Sequence, residues 1–275
     1  MWFRCLMVLL ATAIPSYGHA ETQSGLTFGI VPQQSSSRLA EQWTPLMAYL
    51  SEKLGQPVRF MTAPDIPTFE KRVLEGRYDI AYMNPYHYVE FSKAPGYRAI
   101  AKARDKQIRG IVVVPEDSPA QSLEDLDGAT LAFPAPAAFA ATILVRAELE
   151  RLGIPYTTRF VSSHDSVYLN VSRRFAQAGG GIERTFNSAL ENGLTGVRVL
   201  WRSRGFTPHA FAVHPDVSGE SEKTIQAALV GLSASDRGQK LLHGINIGPL
   251  EQAENDDWDD IRSLGLDFIK TEQAP

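Results

Sequence analysis

Short apolar runs that alternate with amphipathic segments constrain the fold of this chain more than any other feature. The runs at 26–31, Val58–Met61 and Ile80–Met83 have the length of buried strands. Between the first two, apolar residues recur at intervals of three and four over 38–54, and the pattern stops at Gly55, which predicts a helix. Strands separated by helices at this spacing indicate right-handed βαβ units and a parallel sheet, and therefore an α/β fold.

The same alternation restarts in the second half of the chain. An apolar run at 111–114 precedes it. Strands and helices are then expected in turn at 130–133, 137–152, 156–161, 164–174 and 197–201. The second half therefore predicts a second α/β unit with its own sheet.

A return segment follows Pro208, where residues 209–213 predict another strand. Two α/β units with a return segment predict two lobes, each a mostly parallel sheet flanked by helices, with the chain crossing twice between them. We expect lobe 1 to comprise residues 21–108 and 209–275, and lobe 2 to comprise residues 109–208.

The first twenty residues have the composition of a cleavable secretory signal peptide. Arg4 precedes an apolar run over 5–14, and small residues stand at 18–20. We therefore expect residues 1–20 to be removed and the protein to be periplasmic. Cys5 is the only cysteine and lies in this segment, so the mature chain is expected to have no disulfide and no cysteine metal ligand.

Charge and composition narrow the partners further. The formal net charge is −4, and no tract of lysine and arginine of the kind that binds nucleic acid is present. No surplus apolar surface segment is evident, so we expect a monomer. A nucleic-acid partner is not expected.

Polar and aromatic side chains follow the predicted strands. In the run YDIAYMNPYHYV a buried strand gives way to Tyr82, Asn84 and Tyr86. Ligands of open α/β sheets bind beyond the carboxyl ends of the strands, and the helices that start there present unpaired N–H groups to an anion. Four more segments are expected at such ends: 33–37, 134–139, 162–165 and 179–181. Together they predict a cleft for an oxyanion.

Structural alternatives exist for several of these residues. Asn84 and Pro85 can simply cap a helix inside a tyrosine-rich turn. The serines at 35–37 can form a plain turn, and the glycines at 179–181 can permit close packing of backbone against a helix.

Motifs for catalysis and metal binding are weak. Ser163, His164 and Asp165 contain the residue types of a hydrolase, but neighbours in sequence are not a triad, and Ser163 is equally suited to cap the following helix. The histidines at 87, 164, 209 and 214 match no common zinc spacing, and the acidic run at 254–260 predicts a helix start. We therefore expect no enzyme, no cofactor and no metal, and a secreted hydrolase is only a remote alternative.

Four segments, LTFGIVPQQSSSRLAEQWTPLMAYLSEKLG, APDIPTFEKRVLEGRYDIAYMNPYHYV, SLEDLDGATLAF and SSHDSVYLNV, resemble the PhnD-like substrate-binding components of phosphate, phosphite and phosphonate ABC transporters. The resemblance covers nearly the whole mature chain. It implies the type II periplasmic-binding-protein fold, in which two crossover strands form a hinge and closure buries the ligand. It also implies a membrane permease complex as partner. The alternative is a protein of the same fold that reports its ligand to a receptor or sensor kinase.

The resemblance also carries over to single residues. Gln33 to Ser35, the aromatic loop and His164 match the family pattern, whereas 137–141 contains alanines where phosphonate-binding members have a Ser/Thr triplet. Backbone N–H groups, Arg184 or the nearby glycines could replace the lost hydroxyl donors. Aminophosphonate binders have an acidic residue where this sequence has 207–209 without a carboxylate. Glu183 is the only nearby candidate partner for a ligand ammonium, so an aminoalkylphosphonate is disfavoured. The ligand-binding residues expected from the sequence are Gln33, Gln34, Ser35, Tyr82, Asn84, Tyr86, Ala138, Phe139, His164, Gly180 and Arg184.

Overall fold

The computed structural model describes residues 25–264. The predicted signal peptide at 1–20 lies outside the described residues. Within them the chain builds two mixed sheets with helices packed against both. Among the same residues no helix has the length and apolar character needed to cross a bilayer.

The strands are numbered in chain order. They are β1 (Leu26–Ile30), β2 (Val58–Met61), β3 (Ile80–Met83), β4 (Arg98–Ala103), β5 (Gly110–Pro115), β6 (Thr130–Phe133), β7 (Thr157–Phe160), β8 (Ala178–Ile182), β9 (Val197–Arg202), β10 (Ala210–Val213) and β11 (Leu250–Gln252). The first sheet has the order β11-β4-β10-β3-β1-β2 and the second the order β7-β6-β8-β5-β9. In the first, β1 pairs parallel with β2 and β3, and β10 is inserted antiparallel between β3 and β4. In the second, β6 pairs parallel with β7 and β8, and β5 is the reversed strand.

The helices are also numbered in chain order. They are α1 (Ser36–Leu54), α2 (Ile66–Leu74), α3 (Pro85–Phe91), α4 (Leu144–Leu152), α5 (His164–Ser172), α6 (Glu183–Glu191), α7 (Gly219–Val230), α8 (Asp236–Gly244) and α9 (Asp259–Arg262). A π-helical turn at Phe139–Ile143 leads directly into α4. Single 3₁₀ turns lie at Leu123–Leu126, Gly231–Ala234 and Asn255–Trp258, so the acidic run at 254–260 does start a helix, as predicted.

The chain passes between the sheets twice, from β4 to β5 and from β9 back to β10. The two connections pair with each other at Ile108 and Phe206, where each N–H donates to the other carbonyl at 2.9 and 3.0 Å. This short antiparallel bridge joins the lobes and corresponds to the expected pair of crossovers. The lobe boundaries predicted after residues 108 and 208 fall inside these connections, and the division remains a prediction.

Two sequence predictions in the second lobe are wrong. Residues 179–181 do not form a loop; they lie in β8, which pairs with β5 on one side and β6 on the other. The helix expected over 137–152 begins with the π-helical turn, and only Leu144–Leu152 is α-helical. The sequence patterns did not predict β4, β11, α3 or α6.

Candidate ligand-binding site between the lobes

The loops after β1 and β7 meet at the junction of the two lobes. The backbone N–H of His164, at the start of α5, donates to the carbonyl of Gln33 at 3.0 Å. Both side chains are buried, with 5% of Gln33 and 1% of His164 exposed. The fold therefore brings together one residue from each lobe, although the two are far apart in the sequence.

The amide of Gln33 connects a cation to a histidine. The guanidinium of Arg184 donates to Oε1 of Gln33. That contact fixes the orientation of the amide, so Nε2 of Gln33 is the donor in its 2.9 Å contact with Nε2 of His209. His209 accepts at Nε2 and carries its proton on Nδ1. Burial, reinforced by the positive charge of Arg184, lowers the pKa of His209 well below its ordinary value and keeps the ring neutral.

Tyr82, at the end of β3, is held by aromatic neighbours. Its ring stacks on His209 with centroids 5.0 Å apart and contacts Trp43 and Phe211, each at 4.8 Å. Burial raises the pKa of Tyr82, which keeps its hydroxyl protonated, and the nearby charge of Arg184 opposes that effect. Tyr82 therefore presents a rigid aromatic face and a neutral hydroxyl at the junction.

His164 is the second buried, neutral histidine. Its Nδ1 lies 3.1 Å from the hydroxyl of Thr185, which in turn lies 2.8 Å from the hydroxyl of Tyr168. Burial lowers the pKa of His164 from 6.5 to about 3, and the charge of Arg184 adds to that effect. At neutral pH the imidazole is therefore a hydrogen-bonding group without charge.

The π-helical turn supplies backbone donors to the junction. Its first internal bond runs from the N–H of Thr142 to the carbonyl of Ala138 at 2.7 Å. The N–H groups of Phe139, Ala140 and Ala141 precede that bond and have no carbonyl within the turn to receive them. Such N–H groups at a helix start form a favourable site for an anion.

Two glycines explain how the turn reaches this position. A Cβ on Gly110 would overlap the carbonyl oxygen of Ala140, and a Cβ on Gly180 would overlap that of Ala141. The turn can therefore rest directly on β5 and β8 because both strands have a glycine there. The role of Gly180 predicted from sequence, as a possible donor in a glycine loop, is replaced by the close-packing alternative.

Two lobe 1 amides hold the lobes together beside this turn. Asn84 caps α3 by accepting from the N–H of His87 at 2.8 Å, and its Nδ2 donates to the carbonyl of Ala137 at 3.1 Å. Gln34 donates to the hydroxyl of Ser188 on α6 at 3.3 Å. The junction is therefore closed by hydrogen bonds from both lobes.

Two spaces adjoin these groups. A void of about 10 Å³, about the room of one water molecule, is lined by Gln33, Asn84, His164 and the residues of 138–141. A cavity of about 400 Å³ lies next to it and includes Tyr82, Arg184 and His209 in its wall. Most of the predicted site residues thus line one or other of two adjoining spaces.

The remaining predicted residues lie elsewhere. Ser35 is exposed and caps α1, with its hydroxyl 3.4 Å from the N–H of Arg38. Gln34 and Tyr86 are buried but line neither space, and Gly180 lies beneath the turn. His209 and Thr185 also belong to the site but were not predicted as ligand-binding residues, although His209 is one of the four histidines weighed for a zinc site.

The residues of the hydrolase alternative do not have the geometry of a catalytic triad. Ser163 caps α5 by accepting from the N–H of Ser166 at 3.1 Å, and its hydroxyl donates to that of Ser166 at 2.9 Å. His164 contacts Thr185 instead of Ser163. Burial raises the pKa of Asp165, and its Oδ1 has no hydrogen-bond partner. These residues therefore do not form a chain of nucleophile, base and orienting acid.

A site enclosed between two α/β lobes that are joined by two crossings is the architecture that the sequence resemblance implies for a substrate-binding protein. A family model described as "ABC transporter, phosphonate, periplasmic substrate-binding protein" matches residues 28–258. The chain belongs to this family, and the resemblance found in its sequence is confirmed.

Individual relatives show the extent of the similarity. Over 125 residues, 44% of this chain, it is 31% identical to the phosphonates-binding periplasmic protein of Escherichia coli strain K12, of which the match covers 37%. Over 105 residues it is 26% identical to the phosphate-import protein PhnD of Mycolicibacterium smegmatis, with 31% of this chain and 33% of that protein covered. The matches thus span about a third of these relatives.

A solved structure confirms the two-lobe fold. PhnD1 of Prochlorococcus marinus, in complex with methylphosphonate, superposes with a TM-score of 0.82 at 16% identity. The superposition covers 89% of this chain and 98% of that protein. The type II periplasmic-binding-protein fold predicted from the sequence is therefore confirmed.

Proposed function

We propose that the protein captures a small oxyanion of the phosphonate, phosphite or phosphate type in the periplasm and delivers it to the membrane complex of an ABC importer. The observation that carries this proposal is the meeting of three donor types at one junction: the N–H groups that start the π-helical turn, the buried imidazole of His164 and the guanidinium of Arg184. The ligands named for the relatives belong to the same chemical class.

The donors around the void would select the ligand, because a wrong ligand leaves some of them without a hydrogen-bond acceptor. A buried donor left without an acceptor costs about 1–3 kcal/mol, so a ligand with too few oxygens is rejected. The side chains of Ala138, Ala140 and Ala141 donate no hydrogen bond, so the backbone N–H groups of the turn supply the donors and Arg184 supplies the positive charge. The void holds only about one water molecule, so the lobes must separate before a head group with several oxygens enters.

Arg184 is already bonded to Gln33, but a phosphonate oxygen would compete for it effectively. A phosphonate carries the opposite charge and can accept two parallel bonds from the guanidinium, whereas the Gln33 amide offers one neutral oxygen. Ligand capture would then exchange the Arg184–Gln33 contact for a charged one. Transport is favoured over the sensory alternative by the family, while the sensor-kinase partner and the monomeric state stay predictions from the sequence.

The test is calorimetric titration of the protein lacking residues 1–20 with phosphate, phosphite, methylphosphonate, sulfate and small carboxylates. We expect a phosphorus oxyanion to bind best, and a ligand at 100 times its Kd to stabilise the fold by about 2.7 kcal/mol. Arg184→Gln should weaken that binding by roughly 10- to 100-fold, because it removes a charged hydrogen bond. The matched control is Arg237→Gln, since Arg237 lies on the surface and pairs with Glu52 at 2.7 Å.

Two results would contradict the proposal. One is preference for a carboxylate or sulfate over every phosphorus oxyanion. The other is a phosphorus oxyanion whose affinity is the same for Arg184→Gln and for the Arg237→Gln control.

A further inference from the structure

The cavity beside the junction is much larger than a small oxyanion needs. It measures about 400 Å³ and adjoins the void of about 10 Å³ at Ile108 and Ile182, which line both. Buried Tyr82 and His209 form part of its wall, whereas Lys106 on the same wall is exposed. The cavity therefore runs from the junction toward solvent, and its volume lies in the range of sites for organic ligands.

The wall of this cavity carries positive charge without matching negative charge. Lys106, Arg109 and Arg184 line it, and Glu183 is the acidic residue among the lining residues. Glu183 pairs with Arg202 at 2.5 Å, which compensates its charge. Among residues 25–264 no carboxylate lies within ion-pair distance of the three cations that line the cavity.

The position of Arg109 is fixed by hydrogen bonds that leave its charge in place. Its guanidinium donates to the carbonyl of Ser203 at 3.1 Å and to the side chain of Gln107 at 3.0 Å. Both acceptors are neutral. Neighbouring Lys106 lies on the same connection between β4 and β5, so two cations stand close together in sequence at this cavity.

We propose that the ligand is an organic phosphonate or phosphate monoester whose substituent ends in a second anionic group. This inference rests on the proposed function. The phosphorus head group occupies the junction, the substituent passes the rings of Tyr82 and His209, and the second anion lies near Lys106 and Arg109. A cavity with excess positive charge attracts and orients such a ligand, whereas a methyl substituent leaves both cations without an anion.

The test uses two ligands of equal size that differ in charge, 3-phosphonopropionate and its carboxamide, with methylphosphonate as reference. Calorimetric titration at low ionic strength should give about five- to tenfold tighter binding for the carboxylate, the gain expected beside two partly exposed cations. The gain should shrink at 0.5 M salt because exposed charges are screened.

Lys106→Gln tests whether the cavity causes the preference for the carboxylate over the carboxamide. We expect it to reduce the preference for the carboxylate to about two- to threefold while leaving methylphosphonate affinity unchanged. The matched control is Lys223→Gln, an exposed lysine on α7 that does not line the cavity, and it should keep the full preference.

The outcomes separate the two proposals. If methylphosphonate binds but the carboxylate and the amide bind equally, the second-anion inference is overturned and the proposed function stands. The same follows if Lys106→Gln and Lys223→Gln behave alike. If no phosphonate, phosphite or phosphate binds, the proposed function itself is overturned.

Discussion

Replacing His164 with asparagine should make the stability of the ligand-free protein less sensitive to acid. The folded protein holds this ring neutral, with its pKa lowered from 6.5 to about 3, mainly because the ring is buried. Below pH 6.5 His164 takes up a proton in the unfolded chain but stays unprotonated in the folded chain. The free energy of unfolding therefore falls as the pH falls from about 7 toward 3.

The size of the effect follows from the two pKa values. The gap between 6.5 and about 3 corresponds to about 5 kcal/mol when both states are fully protonated. At pH 5.0 the unfolded chain is almost fully protonated at this residue and the folded chain is not, which gives a loss of about 2 kcal/mol relative to pH 7.5. Asparagine lacks the titrating group and keeps a polar side chain that can bond to Thr185.

The assay is urea unfolding at pH 7.5 and pH 5.0 for the wild type, for His164→Asn and for the surface variant His243→Asn. The decline of the unfolding free energy should be about 2 kcal/mol smaller for His164→Asn than for the wild type. Titrating groups that are distant from His164 contribute equally to both proteins and cancel in the difference. Equal declines in the wild type and His164→Asn, within about 0.5 kcal/mol, would refute the buried neutral state of this ring.

Two further substitutions test the π-helical turn. Gly180→Ala places a methyl group where the carbonyl of Ala141 lies, so it should destabilise the protein by about 1–3 kcal/mol in urea unfolding and weaken oxyanion binding. Gly231→Ala, with open space around it, should change neither. Unaltered binding in Gly180→Ala would contradict the packing argument. Ala138→Ser introduces a hydroxyl at the start of the turn and should tighten binding of phosphite or methylphosphonate by about two- to tenfold in calorimetry. Weaker binding would mean that this part of the site favours apolar groups.

Buried side chains dominate two of the strands whose bounds the sequence predicted. Ile80–Met83 and Thr130–Phe133 have the predicted bounds because a strand inside an α/β sheet is a nearly continuous apolar run. β8 gives no such signal. Its sequence AGGGI is buried throughout, yet Gly180 is required because the carbonyl of Ala141 occupies the space that a Cβ would fill. That space depends on another part of the chain, so local sequence patterns could not show it.

β4 was missed for a different reason. Arg98 and Lys102 begin and nearly end this strand, which shortens its apolar run to three residues at 99–101. These charges find partners far along the chain, since Arg98 pairs with Glu222 at 2.5 Å and Lys102 with Glu251 at 2.6 Å. The strand is formed by pairing with β10 and β11, and neither neighbour is local in sequence.

The predictable part of the site is the part that directly follows strands. Gln33, Asn84 and His164 each stand just after a predicted strand, and all three line the void. His209 precedes its strand, and its importance arises from a contact with a residue 176 positions away. Thr185 belongs to the site because its hydroxyl lies 3.1 Å from Nδ1 of His164, and no spacing in the sequence predicts that contact.

The charges at the junction limit which form of an oxyanion can bind. Arg184 is the charged group that acts on both buried histidines, and its presence helps to keep them neutral. A singly charged phosphonate or phosphite is balanced by Arg184 alone, and the N–H groups of the turn add only partial positive charge. A doubly charged ligand brings a negative charge that the junction does not match, and the cheapest compensation is a proton taken up by His164 or His209 or a second cation outside the junction. Lys106 and Arg109 line the adjacent cavity and can supply this second positive charge. The charged cavity would therefore compensate a doubly charged ligand while the two histidines stay neutral.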